Sequence, residues 1–73
     1  MARPAWRAAR RDPVVGRALS ALPRAPAEPW TVARLARRTA ASRSVLGERF
    51  GSVLGVPPMR YLAQWRLQLA SHL

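Results

Sequence analysis

The chain has 73 residues, enough for one small domain whose core contributes only a few kcal/mol of net stability. It has no cysteine, which excludes disulfides and thiolate metal sites, and its single histidine, His72, cannot build a metal site alone. Thirteen basic residues, all arginine, face three acidic ones for a net charge of +10. That balance selects a polyanionic partner, either nucleic acid or an anionic membrane surface, although arginine-rich codon usage inflates the same count.

No apolar run approaches the ~18 residues of a membrane span. Residues 1–11 carry four arginines and a tryptophan without a steady period, and they lack the apolar stretch of a secretory signal. They share the arginine-rich, acid-poor character of a transit peptide, but a structured pattern begins immediately afterwards. The segment is read as a flexible basic arm.

At Asp12 the pattern changes. Asp12 followed by Pro13 is a helix start: the carboxylate accepts from free backbone N–H groups, and proline at the first position lacks the donor that would be unsatisfied. Val15, Ala18, Leu19 and Leu22 then recur at amphipathic spacing. Pro23 and Pro26 are expected to stop the helix, giving Pro13–Leu22 and a stiff connector over Pro23–Pro29.

Thr31 caps the second helix, with Trp30 ahead of it placed to staple onto Leu35. The acid of a capping box is missing, since that position is Arg34. Val32, Leu35, Ala36 and Thr39 form an inward face, whereas Arg34, Arg37 and Arg38 point outward. This helix is short and is expected to end near Ala40. Ser42 caps the third, whose inward face is Leu46, Phe50, Val53 and Leu54, with Gly55 as the terminating residue. Gly47 and Gly51 inside it each cost up to ~1 kcal/mol against alanine. Pro57-Pro58 opens the last helix, and Tyr61, Leu62, Trp65, Leu69 and Leu73 keep helical spacing to the terminus. The chain therefore reads as all-α, a small helix-turn-helix bundle of about four helices.

The second and third helices, over residues 30–54, carry the functional signal. A short helix, a tight turn and a second helix with a polar outer N-terminal half form the DNA-reading arrangement. Ala36 is small where the two helices must cross, Ala40-Ala41-Ser42 supply a turn of small residues without glycine, and Leu46 seals the pair. With Leu46 and Phe50 inward, a step of about 100° per residue puts Ser44, Glu48 and Ser52 on the outer face. Arg43 and Gly47 fall on one flank and Arg49 on the other. Ser44 pairs with any base and Glu48 accepts from cytosine N4, while Arg43 and Arg49 suit phosphates or guanine. Thr31, Arg34, Arg38 and Ser42 are the further phosphate-contact candidates. On the bland reading these arginines are a solvated helix face and Glu48 merely pairs with a neighbour.

Taken over Trp30 to Ala70, the chain resembles the AraC/XylS family of bacterial regulators. The residues that carry the resemblance are Leu35-Ala36, Ser42-Arg43-Ser44, Leu46, Phe50, Gly55, Pro57-Pro58, Tyr61-Leu62, Arg66 and Ala70. The segment from Pro57 to Ala70 looks especially like members with a cupin-type sensor domain. The resemblance implies that residues 12–73 are the first half of a C-terminal DNA-binding domain. In it, 42–54 would be the recognition helix, with Arg43, Ser44, Gly47 and Glu48 near the major groove. Residues 58–73 would be the connector to a second helix-turn-helix unit that this sequence does not contain. Gly47 offers no side chain at a reading position, and Pro57 replaces the usual serine cap. The expected core is Leu35, Ala36, Leu46, Phe50, Tyr61, Leu62 and Trp65.

The reading favours sequence-directed binding of double-stranded DNA in a bacterial cytoplasm, at the nucleoid. It includes no catalytic group, cofactor, metal or small-molecule ligand, no membrane partner, and weak self-association through an exposed end of the last helix. Two alternatives stand beside it. One is a truncated regulator fragment without regulatory activity; the other is a basic amphipathic peptide acting on anionic membranes, which the prolines at 23, 26, 29, 57 and 58 oppose by breaking any long amphipathic surface.

Overall fold

The computed structural model describes residues 3–71, with side chains for residues 7–70. Among these, five helices and no strand occur: α1 (Arg3–Arg11), α2 (Pro13–Arg24), α3 (Val32–Arg38), α4 (Arg43–Leu54) and α5 (Pro58–Ser71). His72 and Leu73 lie outside the described residues. The radius of gyration, 11.7 Å, is close to the ~11 Å expected of a compact chain of this length.

The helix starts obey local chemistry. Asp12 Oδ2 accepts from Val14 N at 3.1 Å and from Val15 N at 2.9 Å. The Thr31 hydroxyl accepts from Arg34 N, and the Ser42 hydroxyl from Val45 N, each at 3.1 Å. Gly55 ends α4 at φ 78°, a conformation that costs a residue with a Cβ but not glycine.

Three boundaries differ from the sequence-based expectation. Residues 3–11 are not an irregular arm but a helix, and Ala9 in its last part is completely buried. The second helix runs through Pro23 to Arg24. Pro23 sits in the last turn, where few further helical bonds depend on it, and the chain leaves helical geometry only ahead of Pro26. Ala25, the residue before it, is pushed out of helical space to φ −137°, ψ 67°. The third ends at Arg38 instead of Ala40, because Thr39 and Ala40 form the turn described below.

Helix α4 is the hub: it packs against α1, α2, α3 and α5. The buried core comprises Ala9, Val15, Ala18, Leu22, Trp30, Leu35, Ala36, Leu46, Phe50 and Leu62, and Tyr61 and Trp65 pack against it half-buried. Phe50 and Tyr61 meet edge to face with ring centroids 5.6 Å apart, the arrangement aromatic quadrupoles prefer. Trp30 ties the connector together. Its indole N–H donates to Ala25 O at 2.9 Å, and its own carbonyl accepts from the Arg66 guanidinium on α5. Helices α1 and α2 approach closely at Gly16, where an added Cβ would stand 2.6 Å from Arg10 O.

Candidate nucleic-acid interface

Helices α3 and α4 are held in a fixed relation by the turn between them. Thr39, buried, donates its hydroxyl to Leu35 O and Ala36 O, both at 3.0 Å. Ala40 then takes the left-handed conformation, φ 58°. Ala40 N donates to Arg37 O at 3.1 Å and Ala41 N to Ala36 O at 2.9 Å. This pair of bonds is a Schellman closure with alanine at the position glycine usually fills. Ala36, 4% exposed, lets α4 approach α3, and Leu46 and Phe50 have no exposed surface at all.

Burying Leu46 and Phe50 leaves the other side of α4 bare. Arg43, Ser44, Glu48 and Ser52 are exposed, and Gly47 is half-buried. A Cβ at Gly47 or Gly51 would meet nothing within 4 Å, so neither glycine is required by packing inside the chain. Val45 is 41% exposed on the same helix. Sequence reasoning gave it no role, although its place one step before Leu46 turns it away from the core and was a usable signal.

Arg49 stands apart from the other candidates. Its Nε and a terminal nitrogen donate to Asp12 Oδ1 at 2.9 and 2.5 Å, so its guanidinium is held by the residue that caps α2. Asp12 is buried, and its carboxyl is held below its ordinary pKa, chiefly by the Val15 backbone N–H, with Arg49 adding to the effect and burial opposing it. The assignment of Arg49 to the reading surface therefore competes with a structural bond that sequence spacing could not reveal.

The phosphate-contact candidates divide similarly. Thr31 and Ser42 are exposed at helix starts, and each hydroxyl, while accepting a backbone N–H, keeps its own proton to donate outward. Arg34 pairs with Glu28 at 2.6 Å, and Arg38 lies 3.8 Å from the other Glu28 oxygen. The Arg38 guanidinium also sits 5.2 Å from the centroid of the Trp30 ring. Both arginines keep a large share of their side-chain surface in solvent. Arg37 is exposed, and Arg17 of α2 donates to Thr39 O at the turn.

No group of three or more histidine, aspartate or glutamate side chains that could hold a metal occurs among the described residues. No described helix is long and apolar enough to cross a membrane.

Regulators of known description are similar to this chain. The chain is 50% identical over 66 residues to an AraC-like transcription regulator of Streptomyces lividans, and 48% identical over 66 residues to one of Streptomyces antibioticus. It is 40% identical over 68 residues to the HTH-type transcriptional regulator AlkR of Acinetobacter baylyi. These matches cover 90% to 93% of this chain but only 22% of each relative. The chain therefore matches a fragment of AraC-like regulators, as the family resemblance of its motifs implied. No family model and no solved structure matches it.

Proposed function

We propose, from the match to a segment of AraC-like transcription regulators and the bare outer face of α4, that this chain binds double-stranded DNA in bacterial transcription regulation. Helix α4 enters the major groove and presents Arg43, Ser44, Val45 and Glu48 to base edges. Ser44 donates or accepts, Glu48 accepts from cytosine N4, and Val45 touches a thymine methyl. Gly47 leaves room for close backbone approach. Ser42 and Thr31 donate hydroxyls to phosphates, and Arg38 and Arg34 contribute charge. Arg49 serves mainly to fix α4 against Asp12. The proposed setting is the cytoplasm, at the nucleoid, with no catalytic chemistry.

One observation carries this reading: α4 touches every other helix through Leu46 and its neighbours, yet Arg43, Ser44 and Glu48 are left exposed. A helix so anchored is a rigid probe, which groove reading needs.

The test is a fluorescence anisotropy titration against labelled duplexes over a salt series. Neutralising about four phosphates through the helix-turn-helix gives a log K against log salt slope of magnitude at least about 3.6, steeper where other arginines also reach the backbone, and a single reading helix gives a Kd in the ~10⁻⁴–10⁻⁶ M range. The double variant Ser44→Ala/Glu48→Ala flattens preference among duplex sequences while leaving that slope in place. Absence of salt-dependent duplex binding overturns the proposal.

A further inference from the structure

We propose that an arginine-lined basin formed by α1, α2 and α3 is a second phosphate-binding surface for the duplex, continuous with the outer face of α4. It rests on the reading of α4 as a DNA-contacting helix and extends the interface beyond the helix-turn-helix. The basin is an open concavity of about 510 Å³ into which Arg10, Arg11, Arg17, Arg24 and Arg38 converge. All five are exposed.

Three features separate this basin from an ordinary solvated face. First, its only acidic lining residue, Asp12, is already occupied by Arg49 and by two backbone N–H groups of α2. Of the other two acidic residues, Glu28 binds Arg34 at 2.6 Å and reaches Arg38 only at 3.8 Å, and Glu48 is exposed on α4, which leaves Arg10, Arg11 and Arg24 as the basin charges on which the test below acts. The like charges of the basin therefore repel one another in the free protein, and an external anion relieves that repulsion.

Second, the guanidinium groups gather around one shallow depression, so their potentials add over a single patch of surface. An open basin suits a charged polymer lying across it better than a small ion enclosed within it.

Third, the basin borders α4 at two places. Asp12, on its rim, bonds Arg49 midway along α4, and Arg17 bonds Thr39 O in the turn that leads into α4. A duplex seated on the outer face of α4 is thus flanked by the basin on the Arg49 side. A lipid surface is less well matched, because none of the exposed large hydrophobic residues (Val45, Met59, Leu67 and Leu69) lines the basin to enter the acyl region.

The experiment compares the whole chain with Arg10→Gln/Arg11→Gln/Arg24→Gln and with the corresponding triple lysine variant, all checked for equal helicity. Removing three phosphate contacts makes the salt slope shallower by about 2.7, so between 50 and 200 mM salt the unsubstituted chain loses about forty-fold more affinity than the glutamine variant. The lysine variant keeps the original slope, which separates charge from helix stability. Duplex binding with an unchanged slope in the glutamine variant overturns this inference and leaves the α4 reading intact. No duplex binding by the unsubstituted chain overturns both. Arginine-dependent partition onto phosphatidylglycerol vesicles, with duplex affinity indifferent to the substitutions, assigns the basin to membranes and overturns the inference as well.

Discussion

Arg49 and Asp12, 37 positions apart, form a two-point contact that locks the middle of α4 to the first turn of α2. The carboxylate serves two masters at once. One oxygen caps α2 through Val14 and Val15, and the other accepts from the guanidinium. Substituting Asp12→Ala removes both functions and is expected to cost at least the ~1 kcal/mol of a lost cap. Asp12→Asn keeps a good cap and sacrifices only the charge pair. Thermal melts should therefore rank the unsubstituted chain above Asp12→Asn, and Asp12→Ala lowest. Equal melting of the two variants would remove the cap from the account.

The same carboxylate makes an acid prediction. Its folded-state pKa lies below the ordinary value of 3.8, so its stabilising contribution is present above that pH and is lost as pH falls through the depressed folded value. Circular dichroism during acid titration should show helicity declining below about pH 4 in the unsubstituted chain. In Asp12→Asn this acid-dependent component should be absent, leaving a weaker but flatter profile.

Ala40 tests the turn. Its φ of 58° costs an L-residue roughly 1–2 kcal/mol, part of which glycine returns to the unfolded chain as entropy. Ala40→Gly should therefore stabilise by up to ~1 kcal/mol, a rise of about 4–8 °C in melting temperature for a domain this small. A fall in melting temperature would mean the turn does not hold that conformation in solution.

Much of this architecture is legible in the sequence because it is local. Asp12, Thr31, Ser42 and Gly55 mark helix ends through bonds spanning a few residues, and Leu46 and Phe50 declare the inner face of α4 by spacing. Ala40-Ala41-Ser42 announces a turn of small residues, although not that an alanine would take the left-handed position. Helix α1 was hidden because, among its described side chains, the buried one is Ala9, too small to register as an apolar stripe among arginines. The Arg49–Asp12 and Arg66–Trp30 bonds were equally hidden, since each joins residues more than thirty positions apart and an arginine carries no periodic signature of its partner.

The glycines give predictions of opposite sign from one substitution. Gly16→Ala forces a Cβ to within 2.6 Å of the Arg10 carbonyl oxygen, which is backbone and cannot swing aside, so α1 must separate from α2. Melting temperature should fall and amide exchange in α1 should accelerate. Gly47→Ala and Gly51→Ala enter open space and relieve the helix-interior penalty, each stabilising by up to ~1 kcal/mol. If Gly47 serves close approach to a groove, Gly47→Ala melts higher yet binds duplex more weakly, whereas Gly51→Ala gains stability alone.

Tyr61 is the chain's single tyrosine, so phenolate absorbance reports on it without interference. Burial beside Phe50 pushes its hydroxyl above the ordinary 10.0. A raised folded pKa for a group that is neutral when protonated means its contribution is intact below 10.0 and is lost as pH rises through the folded value. Phenolate should therefore appear at higher pH in the folded chain than in denaturant, and helicity should fall as it appears. Tyr61→Phe keeps the edge-to-face contact while removing the ionisable group, and should abolish the alkaline loss without lowering the melting temperature at neutral pH. Phenolate formation at the same pH in folded and denatured chains would place Tyr61 in water, and the α4–α5 packing that presents the outer face of α4 would need to be redrawn.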